Sequence, residues 1–226
     1  MIGEYHNAEK ALEYLARADK IPERSHGERM VLELLHHPIS RLLDLGTGDG
    51  RLMALVKVAH PNCEGVALDS SQTMLDKAHE RFRNAPSVTV HCHDLNESIL
   101  SFGSFDAVVS SFAIHHLADS RKFELYKEIL TMLTPGGVFV NLEHVSSPTE
   151  KLHDDFLLAT GMTRETEDQT NQCTAVSTQV DWLNQIGFEN ADCFWKWREL
   201  AVFAGTKPAN SFEHSNAPKL PLTPNT

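Results

Sequence analysis

Apolar residues recur at helical spacing twice near the start of the chain. Ala8, Leu12, Leu15 and Ala16 mark a helix over residues 4–19, and Met30, Val31, Leu34 and Leu35 mark another over 26–37. Pro22 and Gly27 interrupt the pattern between them. After Pro38 the period changes. Short apolar runs at 41–45, 64–69, 87–93, 105–110 and 137–145 read as strands, and amphipathic stretches at 51–59, 71–83 and 120–133 as helices. Such alternation predicts parallel β-α-β units wound on both faces of one sheet. Ser70 or Ser71 suits the N-cap of the 71–83 helix, and Asp119 or Ser120 that of the 120–133 helix. Residues 146–177 are polar and irregular, with a short helical piece near 149–160. A helix at 178–186, stopped by Gly187, leads into strands near 188–195 and 199–205. Their short link makes them an antiparallel hairpin. The expected fold is therefore α/β: a doubly wound, mostly parallel seven-stranded sheet with an antiparallel C-terminal hairpin and an N-terminal helical cap.

The length of 226 residues suits one domain. We expect residues 1–206 to form it, with 1–38 as the cap and 146–177 as a lid insertion. The tail over 207–226 scatters Pro208, Pro218, Pro221 and Pro224 among Asn, Ser and Thr and is expected to be disordered. No apolar run approaches the roughly 18–20 residues of a membrane span. The first residues lack the basic-then-apolar order of a signal peptide, and four scattered cysteines show no Cys-x-x-Cys spacing. These features point to a cytoplasmic protein. A net charge of -11 with no Lys/Arg run argues against a nucleic-acid or anionic-membrane surface and favours a small-molecule substrate. Oligomeric state leaves no trace in the sequence.

The strongest motif follows the first strand. Arg41-Leu42-Leu43-Asp44-Leu45 runs into Gly46-Thr47-Gly48-Asp49-Gly50, and Arg51-Leu52-Met53 opens a helix. Glycines let the chain turn tightly and let a ligand approach the backbone, at the strand ends where open α/β sheets bind ligands. A dinucleotide loop reads G-x-G-x-x-G; here the third glycine comes one residue early and Arg51 holds its place. Asp44 and Asp49 would repel a pyrophosphate but suit a ligand carrying an ammonium and a sulfonium, as S-adenosylmethionine (SAM) does. Asp69 closes the second strand about 20 residues on, where a carboxylate can accept ribose hydroxyls. Asp94 follows the third strand, where it could accept from an adenine amino group.

These stretches resemble the class I SAM-dependent methyltransferases, in particular their small-molecule branch. The resemblance rests on Asp44–Gly50, Asp69–Leu75, Asp94-Leu95, Phe105–Leu117 with its Ile114-His115-His116-Leu117, and Leu133-Thr134-Pro135-Gly136-Gly137, in family order over about residues 40–145. It implies a Rossmann-like fold and SAM as methyl donor, leaving S-adenosylhomocysteine (SAH). It further implies that Asp44 reaches the SAM amino group, and that Gly46, Thr47, Gly48 and Gly50 form the loop beneath it. Asp69, with Ser70 beside it, takes the ribose; Met74 packs on the adenine; Asp94 and Leu95 read its edge. Ser110 and Ser111 end the fourth strand beside the sulfonium, and Thr134–Gly137 is a structural turn. The resemblance fades after residue 146 and assigns no acceptor.

Candidate catalytic residues are His115, His116 and Glu143, with His144 beside the last. A base is needed only where the acceptor is protonated, and a histidine can serve at neutral pH. Tyr5, His6, Tyr14, His153 and Asn171 are candidates for shaping the acceptor pocket. Trp195 and Trp197 share a strand face near Arg198 and form either an aromatic wall or core packing, while Trp182 fits the stripe of the 178–186 helix. His91 and His93 alternate with Cys92, so the three do not converge and no metal is expected. The competing function classes are a nicotinamide-dependent oxidoreductase, a non-catalytic SAM-binding protein, and a SAM-using enzyme that does not transfer methyl.

Overall fold

A computed structural model of the chain describes residues 21–209. The 4–19 helix, Tyr5, His6, Tyr14 and the chain beyond 209 lie outside the described residues.

Helix α1 (Arg24–Leu34) leads into β1 (Arg41–Leu45), α2 (Arg51–Ala59), β2 (Glu64–Asp69), α3 (Gln72–Phe82) and β3 (Val88–Cys92). Then follow β4 (Phe105–Ser111), α4 (Asp119–Met132), β5 (Leu133–His144), α5 (Glu150–Thr160), α6 (Val176–Ile186), β6 (Glu189–Trp197) and β7 (Leu200–Thr206). The strands form one seven-stranded sheet in the order β3-β2-β1-β4-β5-β7-β6. Neighbours from β3 through β5 are parallel; β7 runs antiparallel to both β5 and β6. The expected doubly wound sheet and C-terminal hairpin are both present.

Both faces of the sheet are covered, which is why the central strands are apolar throughout rather than alternating. Leu43, Leu45, Val108, Phe139 and Phe203 pack with Leu125, Tyr126 and Ile129 of α4 and Leu183 of α6. On the opposite face Leu42, Val109, Val140 and Leu142 pack with Val31 of α1, with Leu35 just past its end, and with Leu52, Met53 and Val56 of α2. Trp182 joins the first cluster from its edge, and Trp195 lies partly buried against the second. Trp197 packs beside Phe156 of α5.

The chain order reverses between β1 and β4. Leu45 pairs with Ser110 there, so the carboxyl ends of these two strands open a crevice, the position at which doubly wound sheets take their ligands.

Local signals behaved unevenly. Ser71 caps α3, its hydroxyl accepting from the Met74 amide, and Gly187 ends α6 at φ 109°. The cap expected at Asp119 or Ser120 is absent. Ala118 holds the N-cap position with no side-chain bond, and Asp119 instead binds Lys122 at 3.0 Å. The Thr134–Gly137 turn is absorbed into β5 as an irregularity: Leu133 pairs with Phe105, pairing resumes at Val138 with Ala107, and Gly136 sits at φ 79°. No helix among the described residues is long and apolar enough to cross a membrane.

Candidate active site

The glycine loop turns on three left-handed residues, Gly46 (φ 66°), Gly48 (φ 58°) and Gly50 (φ 83°), a conformation that side chains resist. The three differ in their surroundings. A methyl group at Gly46 would collide with Ala113, and one at Gly50 with the Phe82 ring. At Gly48 it would meet nothing within 4 Å. Two glycines therefore let neighbouring elements close in, and the third faces open space.

Asp44 is almost wholly buried. Its Oδ2 accepts from the Thr47 hydroxyl at 2.6 Å, while Oδ1 meets no hydrogen-bond partner among the described residues. Burial pushes its pKa up to about 7, with the nearby Asp69 and Asp49 adding to the effect and the Thr47 bond opposing it. Asp49 does not flank the loop as a free carboxylate. It pairs with Arg81 of α3, and Arg81 Nε also donates to the Asp49 carbonyl at 2.7 Å. The charge argument built on two aspartates therefore rests on Asp44 alone.

Asp69 locks the loop to the end of β2, one oxygen accepting from the Gly48 amide and the other from the Ser71 amide, both at 2.8 Å. The His93 amide donates to the Asp69 carbonyl at 2.9 Å, which draws Asp94 alongside. Asp94 is exposed, and its carboxylate accepts from the Asn96 amide and side chain. Met74 and Leu95 are buried next to this strand edge. Ser70 is half-buried. The Ser110 hydroxyl is already committed, donating to the Leu45 carbonyl at 2.8 Å and tying β4 to β1; the Ser111 hydroxyl is buried without a partner.

Beyond β4 the chain bends sharply, with Phe112 held at φ 54°. Ala113, the residue Gly46 abuts, opens the short turn Ile114–His116. This turn brings His115 against the end of β5. His115 Nδ1 lies 2.5 Å from Glu143 Oε1, and both side chains are buried. Burial pushes Glu143 up to about 7 and His115 well below the usual histidine range. The pair thus shares one proton near neutrality instead of forming a full ion pair. Glu143 is steadied further: Asn141 Nδ2 donates to its Oε2 at 3.3 Å and the His144 amide to its Oε1 at 2.9 Å. No described group bonds His115 Nε2. His116 faces elsewhere, its Nδ1 lying 3.2 Å from the Thr170 hydroxyl; burial, then the neighbouring His115, lowers it to about 3.

Two arrangements carry no local sequence signal. Glu28 of α1 is buried and accepts from Arg24 at 2.9 Å and from Arg51 at 2.6 Å and 3.0 Å. Arg51, which displaced the dinucleotide glycine, thereby clamps α1 to the glycine loop. Lys122, fully buried in α4, binds Asp119, the Thr174 hydroxyl at 2.7 Å and the Gln172 carbonyl. Gln172 in turn donates its amide to the His115 carbonyl at 2.8 Å. The segment after α5 is thus anchored on the turn that carries His115. His153 and Asn171 line a cavity under this segment, whereas His91 and His93 merely tile the Phe102 ring.

Residues 42–137, the stretch that builds this crevice, match a family described as a methyltransferase domain. Over these residues the chain is a methyltransferase domain. It is 35% identical over 124 residues to malonyl-[acyl-carrier protein] O-methyltransferase of a Marinomonas species, covering 54% of this chain and 45% of that protein. It is 24% identical over 190 residues to carboxy-S-adenosyl-L-methionine synthase of Idiomarina loihiensis, covering 75% of this chain and 77% of the relative. Among solved structures, human N-acetylserotonin methyltransferase in complex with SAM superposes with a TM-score of 0.67 at 17% identity, covering 91% of this chain and 58% of that one. The chain spans about a third to a half of the length of several other curated relatives.

The crevice presents two features that fit SAM. The orphaned Asp44 Oδ1 is a buried acceptor suited to an ammonium, and a buried acceptor without a partner costs roughly 1–3 kcal/mol until it finds one. The open face of Gly48 leaves room for a ligand against the backbone.

Proposed function

We propose that the chain transfers the methyl group of SAM to a protonated nucleophile, such as a hydroxyl, on a small molecule, with His115 as general base. The observation that carries this reading is the 2.5 Å pairing of buried His115 with buried Glu143 at the strand ends beside the glycine loop. Residues 1–206 would act as one unit, with 1–38 as cap and 146–177 as lid.

Bound SAM supplies an already activated methyl group on a sulfonium. Asp44 would hold the ammonium and the loop Gly46–Gly50 would pass beneath the ligand. Asp69 and Ser70 would take the ribose, Met74 and Leu95 would enclose the adenine, and Asp94 would accept from its amino group. Ser110 would serve by fixing β4 against β1 through its hydroxyl rather than by touching SAM. Alignment of the reactants contributes on the order of 7–11 kcal/mol, and a base adds roughly 10²–10⁴-fold. With Glu143 ionised, Nδ1–H of His115 donates to it and Nε2 keeps its lone pair for the acceptor proton. His116 would hold the lid through Thr170.

Incubation with methyl-labelled SAM and a library of phenols and alcohols tests the proposal by mass. A product heavier by one methyl group, lost on His115→Ala while SAH still binds, supports it. Methyl transfer that proceeds equally well in His115→Ala contradicts it.

A further inference from the structure

A cavity of about 540 Å³ lies between the end of β5, α5 and the segment that follows it. We propose that this cavity seats the methyl acceptor and selects a small molecule carrying a protonated amine. The inference rests on the methyltransferase reading above.

The cavity has the size of a small-molecule site, roughly 300–1,000 Å³. It shares a wall with the dyad. His144 lines it, its ring centroid lies 5.5 Å from that of His115, and its amide is the one bonded to Glu143. Cys173, also in the lining, follows Gln172, whose amide holds the His115 carbonyl. A molecule in the cavity is therefore one side chain away from the base.

Charge decides what kind of molecule. Glu150, Glu167, Asp168 and Glu199 line the cavity, against a single guanidinium, Arg164. Arg164 is already committed: its Nε donates to Asp154 at 2.8 Å and its Nη2 to Glu150 at 2.6 Å. Glu199 is almost fully buried. Burial pushes its carboxyl up, but hydrogen bonds from His144, Ser147 and His153 outweigh this and hold it below the usual range.

A second count points the same way. His153 faces carboxylates through both ring nitrogens, Glu199 at 3.0 Å from Nδ1 and Glu167 at 3.0 Å from Nε2. His144 Nε2 also faces Glu199 at 3.0 Å. A neutral imidazole carries one N–H, and an ionised carboxylate only accepts. While His144 and His153 are neutral, their three contacts with Glu167 and Glu199 share two N–H groups, and the wall is one donor short. An ammonium brings three donors and a positive charge; an acceptor bearing a carboxylate or phosphate brings neither and meets like charge. The ammonium end would sit against Glu167 and Glu199, with the nucleophile turned toward His115.

The test is calorimetric titration of the full chain, with and without saturating SAH, using tyramine, 4-ethylphenol and 4-hydroxyphenylacetate. These phenols differ chiefly in the charge of one end. Tyramine is expected to bind at least about tenfold more tightly than the neutral phenol, and the carboxylate most weakly. Glu167→Gln, checked for folding by its melting curve, is expected to remove most of that preference, and Glu167→Lys to reverse it. Binding of the carboxylate as tight as that of tyramine would overturn the proposal. So would the absence of tyramine binding, or a preference unchanged in the folded Glu167→Gln and Glu167→Lys variants. Failure of SAH to bind would sink the methyltransferase reading instead, and the charge preference, measured without SAH, stands or falls apart from it.

Discussion

His115 and Glu143 are brought within 2.5 Å of each other by two neighbouring strand ends, and both are shielded from water. Because burial raises Glu143 to about 7 and lowers His115, the tautomer of the histidine depends on pH near neutrality. Below about 7 the pair takes up a second proton: the Glu143 carboxyl then donates its hydrogen to Nδ1, and the neutral imidazole carries its own on Nε2, which blocks the base. The rate kcat/KM for the acceptor should therefore fall as pH drops through about 7. His115→Ala should lower kcat roughly 10²–10⁴-fold with SAM affinity little changed. Asn141→Leu removes a donor that favours ionised Glu143, so it should shift the acid limb to higher pH. Rate profiles of the three proteins check this; coincident wild-type and Asn141→Leu limbs would show that Asn141 does not position Glu143.

The raised pKa of Asp44 has a cost in stability with a definite sign. Between its ordinary value of 3.8 and about 7 the folded chain holds a proton that the unfolded chain releases. Stability from this group is thus lost as pH rises through that window and is lowest above it. Asp44→Asn cannot ionise. Its melting temperature relative to wild type should rise between about pH 5 and about pH 8, as thermal unfolding in matched buffers would show. A constant offset would mean that Asp44 is not raised.

The two glycines at either end of Thr47 should respond differently to alanine. Both substitutions impose left-handed strain of roughly 1–2 kcal/mol. Gly46→Ala also crowds Ala113, adding overpacking of roughly 1–3 kcal/mol, and should lose stability and ligand binding together. Gly48→Ala meets no protein atom; it should fold with the smaller loss and bind SAH poorly. Denaturant unfolding beside SAH titration separates the two.

Glu28 should matter more than its place on a cap helix suggests. Glu28→Gln leaves two arginines without their carboxylate, and breaking a buried pair costs about 3–5 kcal/mol. Urea unfolding should show a loss of that order, reduced toward the surface-pair range by the one-third exposure of Arg51. A loss within about 0.5 kcal/mol would mean that the clamp is dispensable.

What could be read from the sequence follows physical range. The inner parallel strands β1, β2, β4 and β5 carry continuous apolar runs because helices cover both faces, so their signal is local, whereas the edge strand β3 is mostly exposed. The glycine loop, Asp69 and Asp94 stand at strand ends, where order along the chain suffices to place them. His115 and Glu143 could be singled out by type, but their pairing depends on the register of β5 beside β4, which no window of sequence contains. The pairing of Asp49 with Arg81 is out of local reach for the same reason, since Arg81 comes a full helix later. The clamp on Arg51 depends on Glu28, a residue that looks like ordinary helix surface until α1 docks on the sheet. The failed cap at Asp119 shows tertiary demand overriding a local preference, because Lys122 and Thr174 take the carboxylate.

The most direct measurement is calorimetric titration of SAH into the wild-type chain and Asp44→Asn at neutral pH. Saturable one-to-one binding to wild type is expected, weakened about tenfold or more in Asp44→Asn, because Asp44 offers the ammonium a buried carboxylate oxygen beside the glycine loop. Absence of SAH binding to the wild-type chain, or equal affinity in the two proteins, would contradict the assignment of this crevice as the SAM site.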